Sequence, residues 1–378
     1  MALDRNSVLA ALEVVVDPDL RQSVVALDMV RDVVVDGGKV GLRLVLATPA
    51  DPWKDTVVRE VEAALTRAGA SAVNVAVSAE VRRAPANDGG AAQAGPGGRV
   101  TQDQRMPGVK AVIAVAAGKG GVGKSTVATN LAVALSRLGA KVGLLDADIY
   151  GPSVPIMLGL RGARPALTAD EKIAPMQRYG LSVMSMGFMI QEDQAVVWRG
   201  PMLGKALQQF IEDVDWGELD YVIVDMPPGT GDVQLSLAQL LPVAGCVVVT
   251  TPQDVAFADV TRAIKQLEMT RTEVLGIVEN MATFVCGNCG AEHDIFGTSR
   301  IPAHADALGL EILGKLPLDA VTAVAADQGE PITVAAPDSA AAKTYRALAQ
   351  RVARKVAVIT HQRSQAAPKF AAFFASKP

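Results

Sequence analysis

Gly118, Lys119, Gly120, Gly121, Val122, Gly123, Lys124 and Ser125 fit the spacing G-x-x-x-x-G-K-[ST], with Thr126 next, between an apolar run and a helix-forming one. Glycines let the backbone wrap closely around phosphates and turn several N–H groups toward them. A helix starting near Lys124 adds the positive end of its dipole. Lys124 is then placed to neutralise β and γ phosphates, and the Ser125 hydroxyl to ligate magnesium. Lys119 adds a surplus positive charge beside the cradle. Downstream, Asp146 and Asp148 close an apolar run, and strand alternation puts them on one face, where one or both meet a magnesium ion and an attacking water. Asp225 ends the apolar run from Tyr221 and would hold magnesium through water. The Pro- and Gly-rich stretch 227–232 follows directly and reads as a switch that changes shape on hydrolysis.

A second chemistry lies at Cys286 and Cys289, spaced C-x-x-C. The pair suits a redox couple, half a zinc site or half an iron–sulfur site. His293, four residues on, keeps a Cys286, Cys289 and His293 zinc site open. Two copies of the pair across a two-fold axis would instead supply four thiolates. Cys246 sits inside an apolar strand and reads as core.

These residues need elements to position them. After about residue 108, apolar strands alternate with amphipathic helices: Val109–Ala116, Val142–Asp146, Leu181–Met186, Tyr221–Asp225, Cys246–Thr250, Val274–Glu279 and Glu311–Leu316. Uninterrupted runs such as VIAVAA and CVVVTT belong to strands covered on both faces, which predicts a mostly parallel α/β sheet with ligands at its carboxyl edge. Asn280 ends one strand and presents an amide with two donors; Pro317 lies in a loop nearby. Before residue 84 the order reads α-β-β-α-β: a helix over Ser7–Val16, strands over Met29–Val35 and Lys39–Ala47 about the turn at Asp36, Gly37 and Gly38, a helix over Thr56–Ala68 stopped by Gly69, and a strand over Ala72–Ser78. The expected division is therefore a small α+β domain over 1–83, a Gly-, Ala- and Pro-rich flexible linker over 84–107, a nucleotide-binding domain over 108–360 and a frayed tail over 361–378.

Composition removes several classes. The chain has 378 residues, 50% hydrophobic and 20% charged, so it can bury cores and is long enough for two domains. A net charge of -4 gives no pull toward nucleic acid or anionic lipid, and 4% aromatics offers few stacking platforms. Three cysteines make no disulfide framework, and no apolar run reaches a bilayer's span. A reducing cytoplasm without stable membrane association is the expected setting.

The run KGGVGKST resembles the deviant Walker A loop of the SIMIBI-type P-loop ATPases, the group of nitrogenase iron protein, MinD and ParA. That resemblance implies an ATP-dependent homodimer in which Lys119 reaches the partner's nucleotide, Asp148 positions or activates water, and Asn280, with Pro317 beside it, reads the adenine. GKGGVGKST, LLDADIYGPS, DMPPGTGD and ENMATFVCGNCGAEHDIFG together resemble the Mrp (ApbC-like) family of iron–sulfur cluster carrier ATPases, from about Val109 to Val356. The family implies a homodimer that bridges a 4Fe–4S cluster through Cys286 and Cys289, slowly hydrolyses ATP with Mg2+, and passes the cluster to apoproteins. Two competing readings are a ParA/MinD-like positioning switch and a cluster-bearing, ATP-dependent electron donor. The opening segment, with Asp17, Pro18 and Asp19, resembles a MIP18-type (DUF59) domain. Its relatives often carry a cysteine where this chain has Asp51, which points to a client-docking or regulatory role.

Overall fold

The computed structural model describes residues 3–84, 106–149, 151–189, 200–229, 231, 234, 237, 240–241, 243–286 and 289–375, side chains excepted at 200–203 and 366–375. The expected linker therefore falls largely outside the described residues, as do Thr230 and Asp232 of the expected switch. The chain divides into two compact units, one of residues 1–82 with 353–378, the other of residues 83–352.

In the first unit, helix α1 (Arg5–Leu12) starts where the Asp4 carboxylate accepts the Ser7 amide and the Ser7 hydroxyl accepts the Asp4 amide, each at 2.8 Å. Strands β1 (Val30–Asp36) and β2 (Lys39–Leu46) form a hairpin whose Gly37 and Gly38 both adopt positive φ, 53° and 82°. That is the turn whose twist matches paired strands. Helix α2 (Lys54–Arg67) buries Val57, Val61, Ala64 and Leu65, and β3 (Ala72–Ala79) returns parallel to β2. These side chains close over Val8, Leu12, Val40, Leu42 and Leu44.

The second unit holds an eight-stranded sheet. In chain order it uses β4 (Val109–Ala117), helix α3 (Lys124–Arg137), β5 (Val142–Asp146), short α4 (Val154–Met157), β6 (Met176–Arg178), β7 (Leu181–Ser185), α5 (Gly200–Glu212), β8 (Leu219–Asp225) and β9 (Val243–Thr250). Then come α6 (Asp254–Met269), β10 (Val274–Glu279), the two-residue strands β11 (Phe284–Val285) and β12 (Glu292–His293), α7 (Ile301–Ala307), β13 (Ile312–Lys315), α8 (Ala320–Asp327), α9 (Ile332–Ala335) and α10 (Ala340–Ala375). The sheet order is β13-β10-β9-β4-β8-β5-β7-β6, parallel throughout except for β6. Every residue of β8 and β9 is buried, as strands covered on both faces must be. Parallel register sets Asp146 beside Asp225 and Glu279 beside Thr250, so the chemistry collects at one sheet edge.

The C-terminal extent differs from the sequence reading. Helix α10 runs on to Ala375, past the boundary expected at residue 361, and the division between units falls at residues 352 and 353. Ala366, Ala367, Ala371, Ala372 and Ala375 favour continuing the helix, against Pro368 in its interior. The cysteine pair lies in the segment joining β11 to β12, which pair as a small antiparallel ribbon. Among the described residues, no helix is long and apolar enough to cross a membrane.

Candidate functional site

The phosphate loop leaves the end of β4 and enters α3 at Lys124. Two of its glycines, Gly118 and Gly123, are sterically required. A Cβ at Gly118 would lie 2.4 Å from the Asp259 carbonyl carbon on α6. Gly123 has φ 83°, and a Cβ there would lie 2.1 Å from Asn280 Nδ2. Gly121 also has positive φ, at 78°, and Gly120 is exposed. Val122 is buried, while Lys119, Ser125 and Thr126 are half-buried.

Lys124 is only 6% exposed. Its ammonium donates to Asp225 Oδ1 at 2.7 Å and to Ser125 Oγ at 3.2 Å, and lies 3.6 Å from Asp148 Oδ2. Asp225 is fully buried, and its Oδ2 has no hydrogen-bond partner. Burial pushes its carboxyl pKa up, against the nearby Lys124 charge. Asp146 is equally buried; burial, then the Asp225 charge, pushes its pKa up to about 8. Asp146 has a different task from Asp148. Its oxygens accept from Ser185 Oγ at 2.9 Å and from the amides of Asp148 at 3.1 Å and Val154 at 3.3 Å. Asp146 therefore fixes the loop that carries Asp148 and opens α4, and Asp148 is the acid of the pair that faces the lysine.

Asn280, expected to read a base, turns into the phosphate loop: Nδ2 donates to the Val122 carbonyl at 2.8 Å, and its own amide donates to the Thr250 carbonyl at 2.7 Å. Pro317 is half-buried between Leu316 and Leu318, whose amides bond the carbonyls of Glu279 at 2.9 Å and Thr283 at 2.7 Å. Sequence reasoning passed over Glu279. It is fully buried, neither carboxylate oxygen has a hydrogen-bond partner, and Lys315 Nζ lies 3.6 Å away. An acid placed last in an apolar strand, one step before Asn280, was the available signal.

Cys286 is half-buried and Cys289 exposed. The Cys286 amide donates to the Ala291 carbonyl at 2.9 Å, and the Gly290 amide donates to the Cys286 carbonyl at 2.8 Å. His293 faces Phe284 across the ribbon and is exposed. Among the described residues no group of three or more His, Cys, Asp or Glu comes together to hold a metal, so the Cys286, Cys289 and His293 zinc site is not assembled. Cys246 is fully buried in β9, and burial pushes its thiol up to about 12, which removes it as a thiolate ligand.

In the first unit, the Arg354 guanidinium occupies a cluster of three acids. It donates to Asp17, to Asp19 at 2.6 Å and to Asp51 at 3.1 Å, and is 4% exposed. The position where related domains often carry a thiol thus holds a carboxylate already paired with a cation. Burial raises the Asp51 pKa, and the Arg354 charge opposes that.

Residues 108–353 match a family profile described as NUBPL iron-transfer P-loop NTPase, and residues 5–78 one described as iron-sulfur cluster assembly protein. A Synechocystis protein named iron-sulfur cluster carrier protein is 45% identical over 362 residues, covering 94% of this chain and 99% of that one. The Escherichia coli protein of the same name is 48% identical, covering 68% of this chain and 70% of its own. Among solved structures, a nucleotide-binding protein from Archaeoglobus fulgidus in complex with ADP is 40% identical with a TM-score of 0.54, covering 61% of this chain and 92% of that one.

Proposed function

The chain belongs to the NUBPL iron-transfer family of P-loop NTPases, and from that premise we propose that it carries an iron–sulfur cluster between two copies of itself under the control of ATP. One observation carries the reading. A single chain offers two accessible thiols on a short ribbon and, among the described residues, no further metal ligands beside them. A 4Fe–4S cluster takes four thiolates, so two ribbons meeting at a two-fold axis complete the set. The cluster is cargo, delivered to apoproteins, and the reducing cytoplasm keeps the thiols ready for it.

The nucleotide site is built for ATP with magnesium. Loop amides of 118–123 and the α3 N-terminus take the phosphates. Lys124 leaves its carboxylates for the β and γ phosphates, and Lys119 reaches the partner's nucleotide. Magnesium fits the residues present: the unpartnered Asp225 Oδ2 and the nearby Ser125 hydroxyl are oxygen donors of the type it takes. When bound, the ion neutralises charge developing on the phosphates. Asp148 orients the attacking water, held in place by Asp146. Thr126 and Pro317 border the nucleotide, and Asn280 contacts it from the strand end.

Anaerobic reconstitution with iron and sulfide tests the proposal. The wild-type dimer is expected to bind about two iron atoms per chain, with the visible absorption of a cubane cluster. The Cys286→Ser, Cys289→Ser double variant is expected to bind none. Equal loading in that variant, or no loading in wild type, removes the carrier reading and leaves a nucleotide-binding protein.

A further inference from the structure

The covalent path from the phosphate loop to the first thiol is short. Asn280 grips the Val122 carbonyl inside the loop, and Cys286 is six residues further along the same strand exit. Most positions between them are tied to neighbouring backbone. The Asn280 amide is tied to Thr250, and the Glu279 carbonyl accepts from Leu316. The Ala282 amide donates to the Leu316 carbonyl at 2.9 Å, and the Thr283 carbonyl accepts from Leu318. Phe284 bridges to Leu318 before entering β11, and Cys286 then closes the ribbon turn on Ala291. There is no slack loop in which a displacement at Asn280 would dissipate.

One joint stands out. Met281, directly after Asn280, adopts φ 56°, a left-handed conformation that a side chain with a Cβ disfavours. A residue held there needs its surroundings to impose the geometry, and such positions cluster at ligand clamps and switch regions. Met281 Cε also lies 3.9 Å from where a Gly123 Cβ would sit, so the joint stands next to the phosphate loop. Just behind it, Glu279 is buried with neither carboxylate oxygen hydrogen-bonded, a second locally unrelaxed group at the same strand end.

We propose that Asn280 and Met281 form the coupling joint between nucleotide and thiols: phosphate binding moves Val122, Asn280 follows its carbonyl, and the strap 281–285 re-sets the ribbon that presents Cys286 and Cys289. Asn280 acts here as a positioning residue for the ribbon. The inference deepens the carrier reading and rests on it for its purpose, but its test needs no cluster. Coupling of this kind is reciprocal, so a change at the thiols alters nucleotide affinity by the same factor.

The experiment is alkylation of the metal-free, full-length protein by iodoacetamide, followed peptide by peptide, with buried Cys246 as the internal control. Rates at Cys286 and Cys289 are compared without nucleotide, with ADP and with a non-hydrolysable ATP analogue, each at the saturating concentration measured for that variant. In wild type the Cys286 rate is expected to change about fivefold or more between the free and analogue-bound states. In Asn280→Ala, which lacks the donor, and in Met281→Gly, which relaxes the joint, the ratio is expected to fall to near one at saturation. Gly accepts φ 56° without strain, so the second variant keeps the test open if the first folds poorly. A wild-type ratio of one overturns the inference. So does an unchanged ratio in both saturated variants, the result expected if Asn280 only reads the base or if dimer formation alone shields the thiols. A chain that gates its thiols in this way but loads no iron would retire the carrier reading and keep the joint.

Discussion

Around Lys124 a single ammonium faces Asp225 at 2.7 Å and Asp148 at 3.6 Å, while Asp146 stands fully buried in register beside Asp225. Three carboxyl groups crowded about one cation push carboxyl pKa values up, and a divalent ion arriving with the nucleotide would favour their charged forms. The acids are not equivalent. Asp146 gives its oxygens to three protein donors, whereas among the described residues Asp148 accepts the Gly151 amide, at 3.3 Å, and faces the lysine. Replacing Asp148 with Asn keeps the shape and removes the base, so kcat for ATP hydrolysis is expected to drop roughly 10²-fold or more. Nucleotide binding, measured separately by equilibrium titration, is expected to change far less than kcat. A variant that loses both in step would make Asp148 a binding residue and shift the water-positioning role elsewhere.

At the scale of elements, legibility followed the length of the apolar signal. Strands β4, β5, β8 and β10 are continuous apolar runs ending in or near functional residues, and their positions could be read directly from the chain. β6, β11 and β12 have three residues or fewer, too short for a period of two to register, so the ribbon carrying the thiols stayed hidden although both cysteines were visible. The contact of Asn280 with the phosphate loop was not legible, because a hydrogen bond spanning 158 positions leaves no local pattern. The same holds for Arg354, which meets Asp17 across 337 positions and turns the end of α10 into part of the first unit. Arg354→Ala would leave three acids, two of them almost fully buried, facing each other without their cation. Breaking a buried pair from one side costs about 3–5 kcal/mol. Amides of β2 are therefore expected to exchange with solvent about a hundredfold faster or more in that variant, read by hydrogen–deuterium exchange. Unchanged protection would mean that α10 docks through its apolar face alone.

For the molecule as a whole, the decisive feature of the proposal is that two chains build each nucleotide site. Under the proposed arrangement Lys124 and Asp148 serve the nucleotide of their own chain, and Lys119 serves the partner's. That division has a consequence that no single variant exposes. A Lys119→Ala chain and an Asp148→Asn chain are each expected to hydrolyse ATP poorly as homodimers, since every site lacks one part. Paired with each other, they form a dimer in which one site lacks both parts and the other lacks none. Its intact site takes Asp148 from the Lys119→Ala chain and Lys119 from the Asp148→Asn chain. Random exchange of equal amounts makes half the dimers mixed, each with one working site in two, so activity is expected to recover to about one quarter of wild type. If Lys119 serves its own chain instead, every site in the mixture still lacks a part and the rate stays at the level of the single variants. The steady-state ATPase rate of the mixture, followed as the chains exchange, therefore reports whether the surplus lysine crosses the two-fold axis, and with it whether nucleotide binding draws together the two ribbons that a bridging cluster requires.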